Sequence, residues 1–183
     1  MAVKITGVNS NAGNGLITTS YAEDALNKGQ EWYAGAVVDL ASEGILNFLL
    51  DFSEVPANRE IRIFARNVSS SEEEIRFRIF RDTDYTGGDA VTVFNRNTIT
   101  AEQDEKNFVI TSGATGTDKG TQYPELVAFA SNSFLGGNNP GALSVNILKL
   151  DTSVNWLLEI ENVGTGTTTV FYEGIIFETS KER

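Results

Sequence analysis

Alternation with a period of two runs through this chain from residue 30 onward, and it dictates strands rather than helices. In Arg59–Arg66, Ile61, Ile63 and Ala65 fall on one side, with Arg62, Phe64 and Arg66 on the other. Glu74–Arg81 repeats the pattern: Ile75, Phe77 and Ile79 oppose Arg76, Arg78 and Phe80. Between the two runs, Asn67–Glu72 carries Ser69-Ser70-Ser71, a loop signal. The pair predicts a hairpin. Gly44–Asp51 reads as a buried strand, and Val37–Leu40 as part of another. Ala90–Asn95, Asn107–Thr111, Leu126–Ala130, Leu143–Leu148, Asn155–Glu161 and Thr168–Glu178 complete the set. Gly174 inside the last predicts a bulge or bend. Ile61, Ile63, Ile75, Phe77, Ile79, Leu158 and Ile160 occupy alternate positions and are the expected core.

About ten short strands joined by Gly- and Asn-rich turns describe an all-β chain. The expected fold is a jelly-roll-like antiparallel β-sandwich, with at most one short helix near the N-terminus. That helix candidate follows a capping box, Ser20-Tyr21-Ala22-Glu23, and stops at Gly29. A strand over Leu16–Tyr21 is the equal alternative. Residues 1–14 are small and polar and read as a flexible N-terminal arm; 15–183 form a single β-sandwich domain. Segment 112–142, rich in Gly and holding Pro124 and Pro140, reads as long loops around one strand. A chain of 183 residues can bury one real core without staples.

Composition removes whole classes of chemistry. The chain has no His and no Cys, which excludes the usual zinc sites, Ser-His-Asp and Cys-His catalysis, disulfides and redox thiols. No phosphate-cradling loop or GxSxG motif is present. No carboxylate spacing singles out a glycosidase pair. The expectation is a protein that is not an enzyme and uses no cofactor. A net charge of −11 disfavours nucleic acid and anionic membranes as partners. The longest apolar stretch, Ile45–Phe52, is broken by Asn47 and Asp51 and is far too short to span a bilayer. No signal-peptide pattern opens the sequence, so synthesis in the cytoplasm is expected.

Three constellations invite a functional reading. Seven of the eight arginines fall between Arg59 and Arg96. On a hairpin, Arg62, Arg66, Arg76 and Arg78 would share one outward face with Phe64 and Phe80, a patch suited to an acidic protein partner. The bland alternative is neutralisation by Glu60, Glu72, Glu73 and Glu74. Asp82, Asp84 and Asp89, around Gly87-Gly88, form a weak calcium candidate. Their spacing matches no EF-hand, and Asp and Gly also suit an ordinary turn, so no metal is expected. Trp32-Tyr33 and Trp156 could stack on sugar rings, although large aromatics in sandwiches are more often core.

Gly44–Asp51, the following pair of alternating runs, Val91–Asn97 and the ending Leu148–Glu178 together carry a resemblance. They look like the small structural virion proteins of tailed bacteriophages, of the head-decoration or cement kind. The resemblance covers about residues 30–178 and rests on loose structural motifs. It implies a protein on the outer surface of the assembled capsid. Its partners would be the major capsid protein and further copies of itself, as a homotrimer. The alternative is a carbohydrate- or receptor-binding module on a phage tail or fibre.

Overall fold

The computed structural model describes residues 30–97, 105–123, 126–128 and 148–180. The expected arm, the helix candidate and most of the loop region 112–142 beyond residue 123 lie outside them. Among the described residues there are twelve strands and no helix. They are β1 (Glu31–Leu40), β2 (Ile45–Asp51), β3 (Arg59–Ser70), β4 (Ile75–Arg81), β5 (Asp89–Ala90) and β6 (Phe94–Asn95). Then come β7 (Val109–Ser112), β8 (Thr121–Gln122), β9 (Leu126–Ala128), β10 (Leu148–Leu150), β11 (Trp156–Asn162) and β12 (Thr168–Ser180).

The strands form two sheets. One has five strands in the order β10-β3-β12-β1-β6; the other has seven, β5-β7-β2-β11-β4-β8, with β9 also on β4. Every pairing is antiparallel. The molecule is therefore the all-β sandwich that the alternation predicts. All seven expected core residues are buried, none more than 7% exposed. They meet Trp32, Phe48, Leu50, Trp156, Val170 and Ile176 between the sheets. The long strands β1, β2, β3, β4, β11 and β12 give alternate residues to this layer, so burial removes from water the stripe that the sequence displays.

The hairpin is not formed. Strand β3 pairs with β12 and β10, and β4 pairs with β11, β8 and β9. The chain crosses from one sheet to the other between Ser70 and Ile75. Ser71 bonds there to Thr168 and to the Thr169 backbone. Alternation identifies the inward face of a strand but not its partner. Two runs with inward isoleucines satisfy that pattern equally well as neighbours or as opposite walls of one core.

The bulge at Gly174 is present. Pairing slips between Glu173 and Gly174, which face Asn67 and Ala65, so Arg66 is the extra residue of β3. A Cβ at Gly174 would lie 2.6 Å from the Tyr172 hydroxyl, which explains the glycine. Burial raises the Tyr172 phenol well above its ordinary pKa. Asn162, fully buried, ties the connections together at one end. Its Nδ2 donates to the carbonyls of Leu40 (3.0 Å), Ala41 (3.0 Å) and Gly166 (2.8 Å), and its Oδ1 accepts from Gly164 N–H at 3.0 Å.

Candidate binding surfaces

The arginine patch is dispersed by the topology. Arg62 lies on the outer face of the five-stranded sheet, and Arg76 and Arg78 on the outer face of the seven-stranded one. The side chains of Phe64 and Arg66 lie outside the described part. Arg62, Arg76 and Arg78 are each matched by a carboxylate. Arg62 Nε donates to Glu60 at 2.7 Å, and Lys149 reaches the same carboxylate at 2.6 Å. Burial pushes the Glu60 carboxyl up, but Lys149 and Arg62 together hold it below the ordinary range. On the other sheet, Arg78 pairs with Glu159 and, at 2.6 Å, with Glu161; Arg76 meets Glu161 at 3.2 Å. Lys119 closes on Glu159 at 2.6 Å. Arg81 pairs with Asp151 and Arg96 with Glu31.

Neutralisation is thus the outcome, but mostly by other acids than those adjacent in sequence. Of that group, Glu60 takes part, whereas Glu73 accepts from Gly166 N–H. Glu159 and Glu161 do most of the pairing on the larger sheet, and a signal for them existed. They alternate along Trp156–Asn162 with the same period as Arg76 and Arg78, and the register sets Glu159 opposite Arg78 and Glu161 opposite Arg76.

Phe80 is buried, 5% exposed, in a rung with Leu157, which in turn faces Leu49 across β2. Among the described residues, no second sheet covers this outer rung. Segment 113–120 folds back beside it and sets Lys119 over the Phe80 ring, 5.7 Å from its centre. Asn47 Nδ2 donates to the Ala114 carbonyl at 3.1 Å. Gly120 takes a φ of +85°, and a Cβ there would strike the Arg81 carbonyl at 2.1 Å.

The aspartate loop is what fastens this segment. Asp84 accepts from Thr117 N–H (2.9 Å), Thr117 Oγ1 (2.6 Å) and Asp118 N–H (2.9 Å). Thr86 and Thr115 bridge the two loops through their backbones. Asp82 adopts φ +63°, a left-handed turn that Asp tolerates, and Asp89 pairs with Ser112 in β5. Among the described residues, no three or more metal-ligating side chains converge, so the calcium candidate is not assembled.

The hydrogen bond from Thr117, chief among these contacts, holds Asp84 below the ordinary carboxylate range. A depressed folded pKa contributes stability that is present above the unfolded value and lost as pH falls through the folded one. Amide exchange at Thr117 and Asp118 should therefore accelerate on acidification below the ordinary carboxylate range, relative to amides of β11. In Asp84→Asn these amides should exchange faster already at neutral pH and lose that extra acid response.

The two tryptophans are not available to a sugar. Trp156 is 1% exposed, its Nε1 donating to the Asp151 carbonyl at 2.9 Å. Trp32 is 7% exposed and meets Phe108 edge-on at 6.3 Å. Large apolar side chains are nevertheless exposed elsewhere. Phe94 is 60% exposed and Val37 64% exposed. Register sets Phe94 beside Tyr33 and Val37 beside Phe171, on the outer face of the five-stranded sheet. Sequence reasoning passed over Val37 and Phe94 because each stands in a run that reads as ordinary strand.

No protein-family model matches the chain, and no curated protein does. Among solved structures, the crystal structure of the Yersinia pseudotuberculosis-derived mitogen aligns with 82% of this chain and 87% of that one. The identity is 8% and the TM-score 0.27, too low to carry a functional argument.

Proposed function

We propose that this chain is a structural protein of a bacteriophage virion. It is made in the host cytoplasm and seats on the outer surface of the assembled capsid as a decoration protein. It binds the major capsid protein without catalysis or cofactor. The observation that carries this reading is the contrast between its paired arginines and its exposed apolar side chains. The described arginines of the sequence patch are tied to carboxylates of the same chain, whereas Phe94 and Val37 stand in water beside Tyr33 and Phe171. Phe94 and Val37 are the two most exposed of the described large hydrophobics, ahead of Ile45, Val109 and Tyr123, and exposed apolar side chains on a sheet face suit a protein partner.

Strand winding supports the same reading. Taken as β1-β12-β3-β10 and β2-β11-β4-β9, the sheet neighbours follow the order of a jelly roll, an architecture of viral capsid and lectin domains. Fold alone does not fix function. The buried tryptophans weigh against the lectin branch, and the sequence resemblance favours the virion.

Co-sedimentation of the full chain with assembled shells, and separately with dissociated capsid protein, tests the proposal. Shells should retain the chain at least tenfold better, because several weak contacts act together only where subunits meet. Phe94→Ser should lower shell binding about tenfold while leaving the melting temperature within a few degrees. Equal binding to both forms, or retention on bacterial surface glycans instead, would overturn the proposal in favour of a receptor-binding module.

A further inference from the structure

Strand β1 is paired along its whole length with β12, from Glu31 opposite Phe177 to Leu40 opposite Thr168. Its other edge is different. Strand β6 covers only Trp32 and Tyr33. The chain before β6 has left for the other sheet, where Val91 N–H donates to the Ile110 carbonyl at 2.9 Å. The backbone polarity of β1 is fixed by two bonds. The Glu31 carbonyl accepts from Arg96 N–H on the β6 side, and the Gln30 carbonyl from Glu178 N–H on the β12 side. In an antiparallel sheet successive residues turn to opposite neighbours. Gly35, Val37 and Asp39 therefore direct N–H and C=O to the side that β6 has vacated. All three are exposed, and among the described residues no strand pairs with them on that side.

An uncovered run of strand is a template for another strand. This one has a particular symmetry. The open stretch runs from Ala34, just past the last β6 contact, to Leu40, the end of β1. Its midpoint is Val37, the most exposed of the described large hydrophobic residues at 64%. Laid antiparallel on a copy of itself about that midpoint, Val37 meets Val37, Ala36 meets Val38, and Gly35 meets Asp39. Each free N–H and C=O of Gly35, Val37 and Asp39 then finds a partner. The acid faces a glycine rather than another acid, so like charges are not opposed. Ala36 and Val38, partly buried against the core, form an apolar rung on the inner face.

From this self-complementarity we infer that the Ala34–Leu40 edge binds a second copy of this chain. The two five-stranded sheets join into one continuous sheet across a two-fold axis at Val37. Such an isologous contact closes after two copies. It gives a dimer, where the virion resemblance implied a trimer. The inference does not depend on the proposed capsid role.

The absence of cysteine makes the test specific. Hydrogen-bonded antiparallel neighbours stand about 5.5 Å apart at Cα, within the disulfide range of about 4.4–6.8 Å. Full-length Val37→Cys, oxidised at micromolar concentration, should link into a species of twice 19.9 kDa. Asp39→Cys is the control: its two copies would be displaced by about 14 Å along the strands and should not link. Val37→Lys and Val37→Glu should each sediment as monomers, and their mixture should restore the dimer. A wild-type chain that stays monomeric at tens of micromolar would overturn the inference. So would equal cross-linking at 37 and 39, or a wild-type trimer that Val37→Lys leaves intact. Phe94→Ser leaves the Ala34–Leu40 edge intact and should still dimerise, so its oligomeric state, read beside its shell binding, separates this result from that of the capsid proposal.

Discussion

Phe77→Ala should destabilise the fold by about 3–5 kcal/mol, the range for deleting a buried aromatic side chain. Phe77 lies inside β4, 1% exposed, with Ile160 beside it on β11 and Leu126 paired with it on β9. Ile75 and Ile79 flank it on the same inward face. Truncation removes the transfer free energy of the ring and leaves a void that two antiparallel sheets cannot close without moving whole strands. Urea unfolding followed by tryptophan fluorescence should show a lower midpoint with an unchanged slope. Phe77→Leu should recover most of the loss. A cost below about 1 kcal/mol for the alanine variant would mean that the ring does not face the core.

That prediction follows from the sequence as well as from the structure, and the reason is physical. Burial on one face of a strand imposes a period of two, and Ile75, Phe77 and Ile79 display it. The same rule explains Trp32, Ala34, Ala36, Val38 and Leu40 in β1, although small residues blur that stripe and the expected strand began only at Val37. Partner choice is a different matter. Nothing in Arg59–Arg66 or Glu74–Arg81 says whether they are neighbours or opposite walls. The serines between them looked like a hairpin loop because serine favours turns. Ser69 and Ser70 instead extend β3 and pair with Phe171 and Val170.

The binding surfaces divide along the same line. Glu159 and Glu161 were visible as partners, since alternating acids on one strand match alternating arginines on another. Asp84 was not: its bonds reach residues about thirty positions away, in a loop with no period of its own. The open edge of β1 was equally hidden. It depends on where the two-residue strand β6 stops, and a strand that short leaves no pattern in a sequence.

Arg78→Ala should be as costly as the loss of Phe77, for an electrostatic reason. The Glu159 side chain is only 1% exposed, and the Arg78 side chain 17%. Arg78 bridges Glu159 and Glu161, while Lys119 holds Glu159 from the segment folded over Phe80. Removing the arginine leaves two carboxylates one rung-pair apart on β11, one of them almost fully buried with a single remaining cation. Breaking one side of such a buried pair costs about 3–5 kcal/mol, because the surviving charge has already lost its water. Replacing both partners is a different perturbation. Arg78→Met with Glu159→Leu removes the charge along with its counter-charge, and the double variant should lie within about 1–2 kcal/mol of wild type. A thermodynamic cycle over the two single variants and the double should therefore show strong coupling, on the order of 2–3 kcal/mol. Additive losses would mean that water reaches Glu159 beneath segment 113–120, and that this segment is a loose cover rather than part of the packed sheet.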